Sequence, residues 1–206
     1  MAEMERVVLD ERSWIDVGRG WLPDADRLYD ELAETLPWQP SRVFRYDHWF
    51  EEPRVGTWLT PATAPQPLKD LQRQMQHRYR AVFEGCSLVW YRDGRDHMAI
   101  HRDRDMRWLD DTVVVLLTLG ATRPWVVRSR ADKFADRPDK GVVHDFAPGS
   151  GDVLVLGGAT QAGWEHGVPA VPGLTAGRIS VQWRWTSKRG RQELGGSYRK
   201  PRTYSR

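Results

Sequence analysis

Along residues 178–186 the chain alternates without a break. Arg178, Ser180, Gln182 and Arg184 fall on one side, and Ile179, Val181, Trp183 and Trp185 on the other. A period of two is that of a β-strand. One face is apolar and reads as packing. The other is polar and carries two fixed cations, which is what the wall of a β-barrel around a polar site requires.

The rest of the chain from residue 87 onward extends this pattern. Residues 87–91 form a strand turned by Asp93 and Gly94. Residues 112–119 are apolar on both faces and so predict a central strand. Further strands fall at 124–128 and at 153–156, the latter opened by Gly151 and Asp152. Short strands separated by turn signals point to a closed or sandwiched β-core. Residues 1–86 differ in character. After a short apolar start at Val7, Val8 and Leu9, the Leu22-Pro23-Asp24 sequence opens a helix, Leu28, Leu32 and Leu36 follow at helical spacing, and Pro37 closes it. Residues 38–58 read as an irregular aromatic stretch, with Phe44, Tyr46, Trp49 and Phe50 among Arg42, Arg45 and Arg54. A proline-rich connector at 61–67 leads to a second helix striped by Leu68, Leu71, Met75, Tyr79 and Phe83. The expected class is α+β, with the helices packed on one side of the β-core.

At 206 residues and 40% hydrophobic content the chain can bury one sizeable core without a second domain. A mean hydropathy of −0.64 fits a soluble globular protein. No apolar run reaches the length of a membrane span, and the first residues lack a signal-peptide apolar region. The single cysteine, Cys86, excludes an intramolecular disulfide, suits a reducing cytoplasm and precedes an apolar run as a packing residue would. Charge is concentrated at the end: residues 187–206 hold seven Lys/Arg against Glu193, a basic arm expected to be mobile and able to attract phosphate.

The chemistry rests on order and spacing. His101 and Asp103 are two apart, so on a strand both point to one face. His166 lies far downstream, followed by Gly167. Two histidines and a carboxylate from separate strands can occupy one face of a metal and leave the other open, the ligand set of a non-haem Fe(II) oxygenase. Arg178 and Arg184 would then supply cations for a dicarboxylic co-substrate. Each fragment alone is weak, since chance supplies about half a His-x-Asp in a chain of this composition. His48, His77 and His144 carry no such context. His97 and His101 are four apart and would share a helix face, the basis of a zinc-hydrolase alternative. The turn signal before them and the missing glutamate of a zinc-protease helix weigh against it.

The stretch from Tyr91 through His101, Asp103 and Asp105, with Gly151–Gly158, Glu165-His166-Gly167 and Arg178-x5-Arg184, resembles the AlkB dioxygenases, which remove alkyl groups from nucleic-acid bases. The resemblance covers about residues 87–186. It implies a double-stranded β-helix, or jelly-roll, over 87–186, with residues 1–86 as helices and a nucleotide-recognition lid and 187–206 as a flexible tail. It implies Fe(II) held by His101, Asp103 and His166, which are also the catalytic centre, and O2 and 2-oxoglutarate as co-substrates. The distal carboxylate of 2-oxoglutarate would meet Arg178 and the Tyr91 hydroxyl, with Arg184 near its other end. Asp105 would contact the damaged base, and Trp58 would stack on it, with Trp38 and Trp49 as alternatives. Two positions depart from the family pattern: Val89 and Ser180 stand where asparagine is usual.

The implied reaction couples decarboxylation of 2-oxoglutarate to succinate and CO2 with hydroxylation of an N-methyl carbon, which leaves as formaldehyde from bases such as 1-methyladenine or 3-methylcytosine. The expected partner is alkylated DNA, with RNA as the alternative; no membrane is expected, and the chain is expected to be a cytoplasmic monomer. Two rival readings stay open: an oxygenase with the same centre acting on RNA, protein or a small molecule, and a nucleic-acid-binding protein with a degenerate site.

Overall fold

The computed structural model describes residues 3–45, 48–130 and 143–193. The apolar run at 112–119 is β7 (Thr112–Gly120), buried along almost its whole length and paired on either side with β10 (Val153–Gly158) and β12 (Arg178–Thr186), both antiparallel. Around these three strands the large sheet is completed by β1 (Glu5–Asp10), β2 (Ser13–Gly18), β3 (Gln39–Arg45), β4 (His48–Leu59) and β5 (Cys86–Tyr91), in the order β1-β2-β10-β7-β12-β5-β4-β3. A second sheet holds β6 (Met98–His101), β8 (Val126–Ser129), β9 (Val143–Asp145) and β11 (Trp164–Val168), in the order β6-β11-β8-β9. Two antiparallel sheets with this interleaved chain order form the jelly-roll core.

The faces of the large sheet divide the core in two. Val113, Val115, Leu117, Leu119, Ile179, Val181 and Trp183 pack outward against α1 (Ala25–Thr35) and α2 (Gln66–Tyr79), where Leu28, Leu32, Leu68, Leu71 and Met75 are buried. Each such side chain stabilises the fold by about 1.5–3 kcal/mol through apolar burial. Ile15, Val114, Leu116, Trp125, Leu154 and Leu156 lie in the second cluster, between the sheets. The alternation along β12 therefore reads as expected, with its polar residues turned toward the space between the sheets. Gly157 is required by close approach: a Cβ there would come within 2.0 Å of the Trp14 indole, which crosses over it from β2.

One expectation needs correction, and two further stretches carry contacts that the sequence did not signal. The stretch at 38–58 is not irregular but the hairpin β3–β4, which extends the large sheet beyond β5. Its alternation is obscured by a bulge beside Pro40, a residue tolerated because β3 is an edge strand. The apolar start at Val7–Leu9 is likewise a strand, β1, paired with β2. The first part of the basic tail makes backbone contacts: Ser187 N donates to Asp111 O at 3.1 Å, and Trp108 forms a β-bridge with Gln192. Residues 194–206 lie outside the described residues, as do Tyr46 and Asp47. Among the described residues no helix is long and apolar enough to cross a membrane.

Candidate active site

β6 and β11 bring His101 and His166 directly opposite each other, with ring centroids 4.6 Å apart. Gly167 lies in the bulge that follows His166, where a Cβ would press on Ile100 and the Met98 carbonyl at 3.0 Å. His101 Nδ1 donates to the Ala99 carbonyl at 3.0 Å, because that oxygen can only accept. This leaves Nε2 with its lone pair free to bind a metal. β6 ends at His101, so Asp103 is not on the strand as its spacing suggests. It sits in the following loop, where its backbone N–H donates to Gln161 Oε1 at 2.9 Å. The loop still delivers the carboxylate. One ligand atom each from His101, Asp103 and His166 lie within 4.8 Å of one another, the one such group among the described residues.

The electrostatics suit a metal. Burial alone would raise the Asp103 carboxyl, but the adjacent Arg184 guanidinium holds it well below the usual carboxylate range. Burial, with His101 and Arg184 adding to it against Asp103, pulls His166 down to about 3, so it stays neutral and keeps a lone pair. Trp125 stacks on the His166 ring at 5.5 Å and fixes its plane. Two imidazoles and one carboxylate on one side leave the other coordination positions open.

β12 carries the two arginines, and Arg184 adjoins this group. Arg184 Nε donates to Asp103 Oδ2 at 2.7 Å, its Nη1 donates to Ser87 Oγ at 2.7 Å, and its Nη2 reaches Gln182. It thus orients a candidate metal ligand. Arg178 is different. It is fully buried, opposite Tyr91 on β5 and Gly120 on β7. Among the described residues its one hydrogen bond is from Nη2 to Thr118 Oγ1 at 3.3 Å, and its Nε and Nη1 have no partner there. Burial pulls it down to about 10, opposed by Tyr91 and reinforced by Arg123, and at neutral pH it remains a cation. Close by, the buried Tyr91 hydroxyl finds only the weakly accepting Met98 sulfur at 3.8 Å, and Ser180 Oγ is unpaired. A buried guanidinium with two idle donors and no hydrogen-bonded carboxylate is destabilising unless an anion meets it. A carboxylate is the group that would match it.

The expected substrate residues are placed more loosely. Asp105 is exposed in a 3-10 turn (Arg104–Met106), not on a strand face. Trp58 is 55% exposed on β4, directly opposite Ser87, and so shares the sheet face of Gln182 and Arg184. Trp38 instead packs on Trp90 and donates to the Leu32 carbonyl, which makes it a core residue. His97 precedes β6 in a loop and bonds the Arg95 carbonyl, so it shares no helix face with His101.

Sequence reasoning passed over Gln161, Trp125 and Arg123. Gln161 lies on α3 (Thr160–Gly163), fully buried. Arg123 donates to the carbonyls of Asp93, Asp96 and Pro169 and sits 5.2 Å from the Tyr91 ring, stapling two loops beneath it. None of these contacts has a local sequence signature, because their partners are 27 to 58 residues away.

A jelly-roll holding a two-histidine, one-carboxylate face is the arrangement found in non-haem iron oxygenases. Residues 24–184 match the 2OG-Fe(II) oxygenase superfamily, and the chain belongs to it; Fe(II), 2-oxoglutarate and O2 are that superfamily's cofactor and co-substrates. Within it the chain is homologous to AlkB-family proteins. It is 26% identical over 177 residues to the alpha-ketoglutarate-dependent dioxygenase alkB homolog 3 of Mus musculus, covering 79% of this chain and 62% of that protein. It is 22% identical over 179 residues to the DNA oxidative demethylase ALKBH2 of Mus musculus, covering 78% and 74%. The match thus spans less than two thirds of the alkB homolog 3 relative. The solved structure of OsALKBH1 shares the fold, with a TM-score of 0.55 at 15% identity over 88% of this chain and all of that one.

Proposed function

We propose that this chain is an oxidative demethylase of N-alkylated nucleic-acid bases, of the 1-methyladenine and 3-methylcytosine kind, acting on DNA. The observation that carries the oxygenase part is the fully buried Arg178 with two unpaired donors, on the same strand face as Arg184, which grips Asp103. Likeness to alkB homolog 3 and ALKBH2 supports the choice of a nucleic-acid substrate.

In this reading His101, Asp103 and His166 hold Fe(II), and Arg178 with Tyr91 receives the distal carboxylate of 2-oxoglutarate. The iron supplies O2 activation coupled to loss of CO2 from the co-substrate. The residues of the chain do the rest. Arg184 keeps the Asp103 carboxylate ionised and aimed. Trp125 holds the His166 ring. Trp58 offers an exposed aromatic face on which an extruded base can stack. Asp105 places negative charge on the loop that follows the iron aspartate, suited to a cationic methylated base. Hydroxylation of the methyl carbon uses one oxygen atom of O2, the other entering succinate, and the hydroxymethyl group departs as formaldehyde.

The test uses purified protein, Fe(II), ascorbate and an oligonucleotide with one 1-methyladenine, followed by mass with and without 2-oxoglutarate. Loss of one methylene mass only with 2-oxoglutarate is expected. Succinate without any change in the oligonucleotide would transfer the activity to another substrate, and neither product would overturn the oxygenase reading.

A further inference from the structure

We infer that the ordered segment following β12, residues 187–193, is a phosphate-contacting rim that holds the nucleic-acid backbone beside the iron loop. The inference rests on the demethylase reading above and assigns part of its substrate surface.

The segment folds back along residues 107–111. Thr186 Oγ1 donates to the Trp108 carbonyl at 2.7 Å, Ser187 N to the Asp111 carbonyl at 3.1 Å, and Glu193 N to the Arg107 carbonyl at 2.6 Å. Its far end is latched by Arg102, whose Nη2 donates to Glu193 Oε1 at 2.9 Å. Arg102 stands between His101 and Asp103, and Arg184, four residues before Lys188, touches Asp103. The far end of the segment is therefore tied to the residue between two candidate iron ligands, and its near end continues the strand that carries Arg184.

What the segment displays is cationic. Lys188, Arg189 and Arg191 are exposed, and none has an ion-pair partner among the described residues. The carboxylate nearest the turn, Asp110, which a Cβ on Gly190 would meet at 2.6 Å, already faces Arg12 at 3.6 Å. Lys188 and Gly190 adopt left-handed backbone (φ 56° and 83°), which turns the chain between the three cations. Three unmatched cations on a segment held by backbone hydrogen bonds cost little side-chain desolvation and do not depend on ordering a free tail. From Lys188 to Arg191 the chain reaches at most about 10 Å, enough for the three long side chains to face two or three successive phosphates of a strand. A small-molecule substrate would meet only one of them.

The test is binding of a fluorescently labelled single-stranded oligonucleotide by the full chain across a salt series, for wild type and the triple variant K188Q/R189Q/R191Q. Formation of succinate without oligonucleotide is measured alongside as the check that the iron site is assembled. Removing three phosphate contacts should reduce the steepness of log affinity against log salt by about 2 and weaken binding by about tenfold or more at low salt, while succinate formation is retained. Wild-type demethylation with unchanged affinity and salt dependence in the variant would overturn the rim and leave the demethylase intact. A wild type that forms succinate yet neither binds nor demethylates any oligonucleotide would instead overturn the demethylase reading, and the rim with it.

Discussion

Val89 on β5 and Ser180 on β12 face each other directly across the large sheet, between the Tyr91–Arg178 pair and the Ser87–Gln182 pair. These are the two positions where the AlkB pattern has asparagine, so the departures form one cross-strand contact. The Ser180 hydroxyl is buried without a partner, and Val89 packs into the cluster between the sheets. Gln182 does not fill the gap, because Arg184 engages its side-chain oxygen.

Restoring one polar partner at this pair should strengthen 2-oxoglutarate binding. A hydrogen bond gained there is worth about 1 kcal/mol, or roughly fivefold in affinity. Val89→Asn is expected to lower the KM for 2-oxoglutarate by that factor with kcat little changed. An unchanged or raised KM would show that Ser180 meets its partner without help from β5.

Arg178 stores a cost that its ligand relieves. Arg178→Met removes a buried cation with two idle donors, so the protein without co-substrate should melt a few degrees higher, about 2–4 °C per kcal/mol gained. The same variant should lose 2-oxoglutarate-dependent turnover. Thermal melts with and without the co-substrate measure both effects, and a variant that melts lower would mean that the Thr118 contact outweighs the buried charge.

His166 sets an acid limb of stability in the metal-free protein. The unfolded side chain takes up a proton near pH 6.5, while the native one resists until about 3. Between these values the unfolded state binds more protons, so stability is full above about pH 6.5 and falls as pH drops toward 3. Asp103, held below the usual carboxylate range, adds a further loss only at the acid end, as pH falls below about 4. Denaturant titrations from neutral to acid pH should show the first limb in the wild type and a flattened one in His166→Gln.

Gln161 touches no expected ligand side chain yet holds the backbone of Asp103. Groups that orient metal ligands typically account for about 10- to 100-fold in affinity. Gln161→Leu should weaken Mn(II) binding by that factor in calorimetry while leaving the fold intact. Equal affinity would assign the fixing of Asp103 to Arg184 alone.

The sequence by itself determined what repeats at short range. The alternation of β12 sorts Arg178, Ser180, Gln182 and Arg184 from Ile179, Val181 and Trp183, and the apolar run of β7 marks the centre of the sheet, because strand geometry converts spacing directly into facing. The resemblance added the order of His101, Asp103 and His166. Only the tertiary structure decided the rest. The hairpin β3–β4 was hidden because a bulge and prolines break its period, and β6 stops at His101 although the spacing predicted that the strand continues to Asp103. Gln161 beneath the Asp103 loop, Trp125 on the His166 ring and Glu193 on Arg102 are contacts between residues far apart in the chain. Such contacts leave no local periodicity to read; they come from register between strands and from the packing of one sheet on the other.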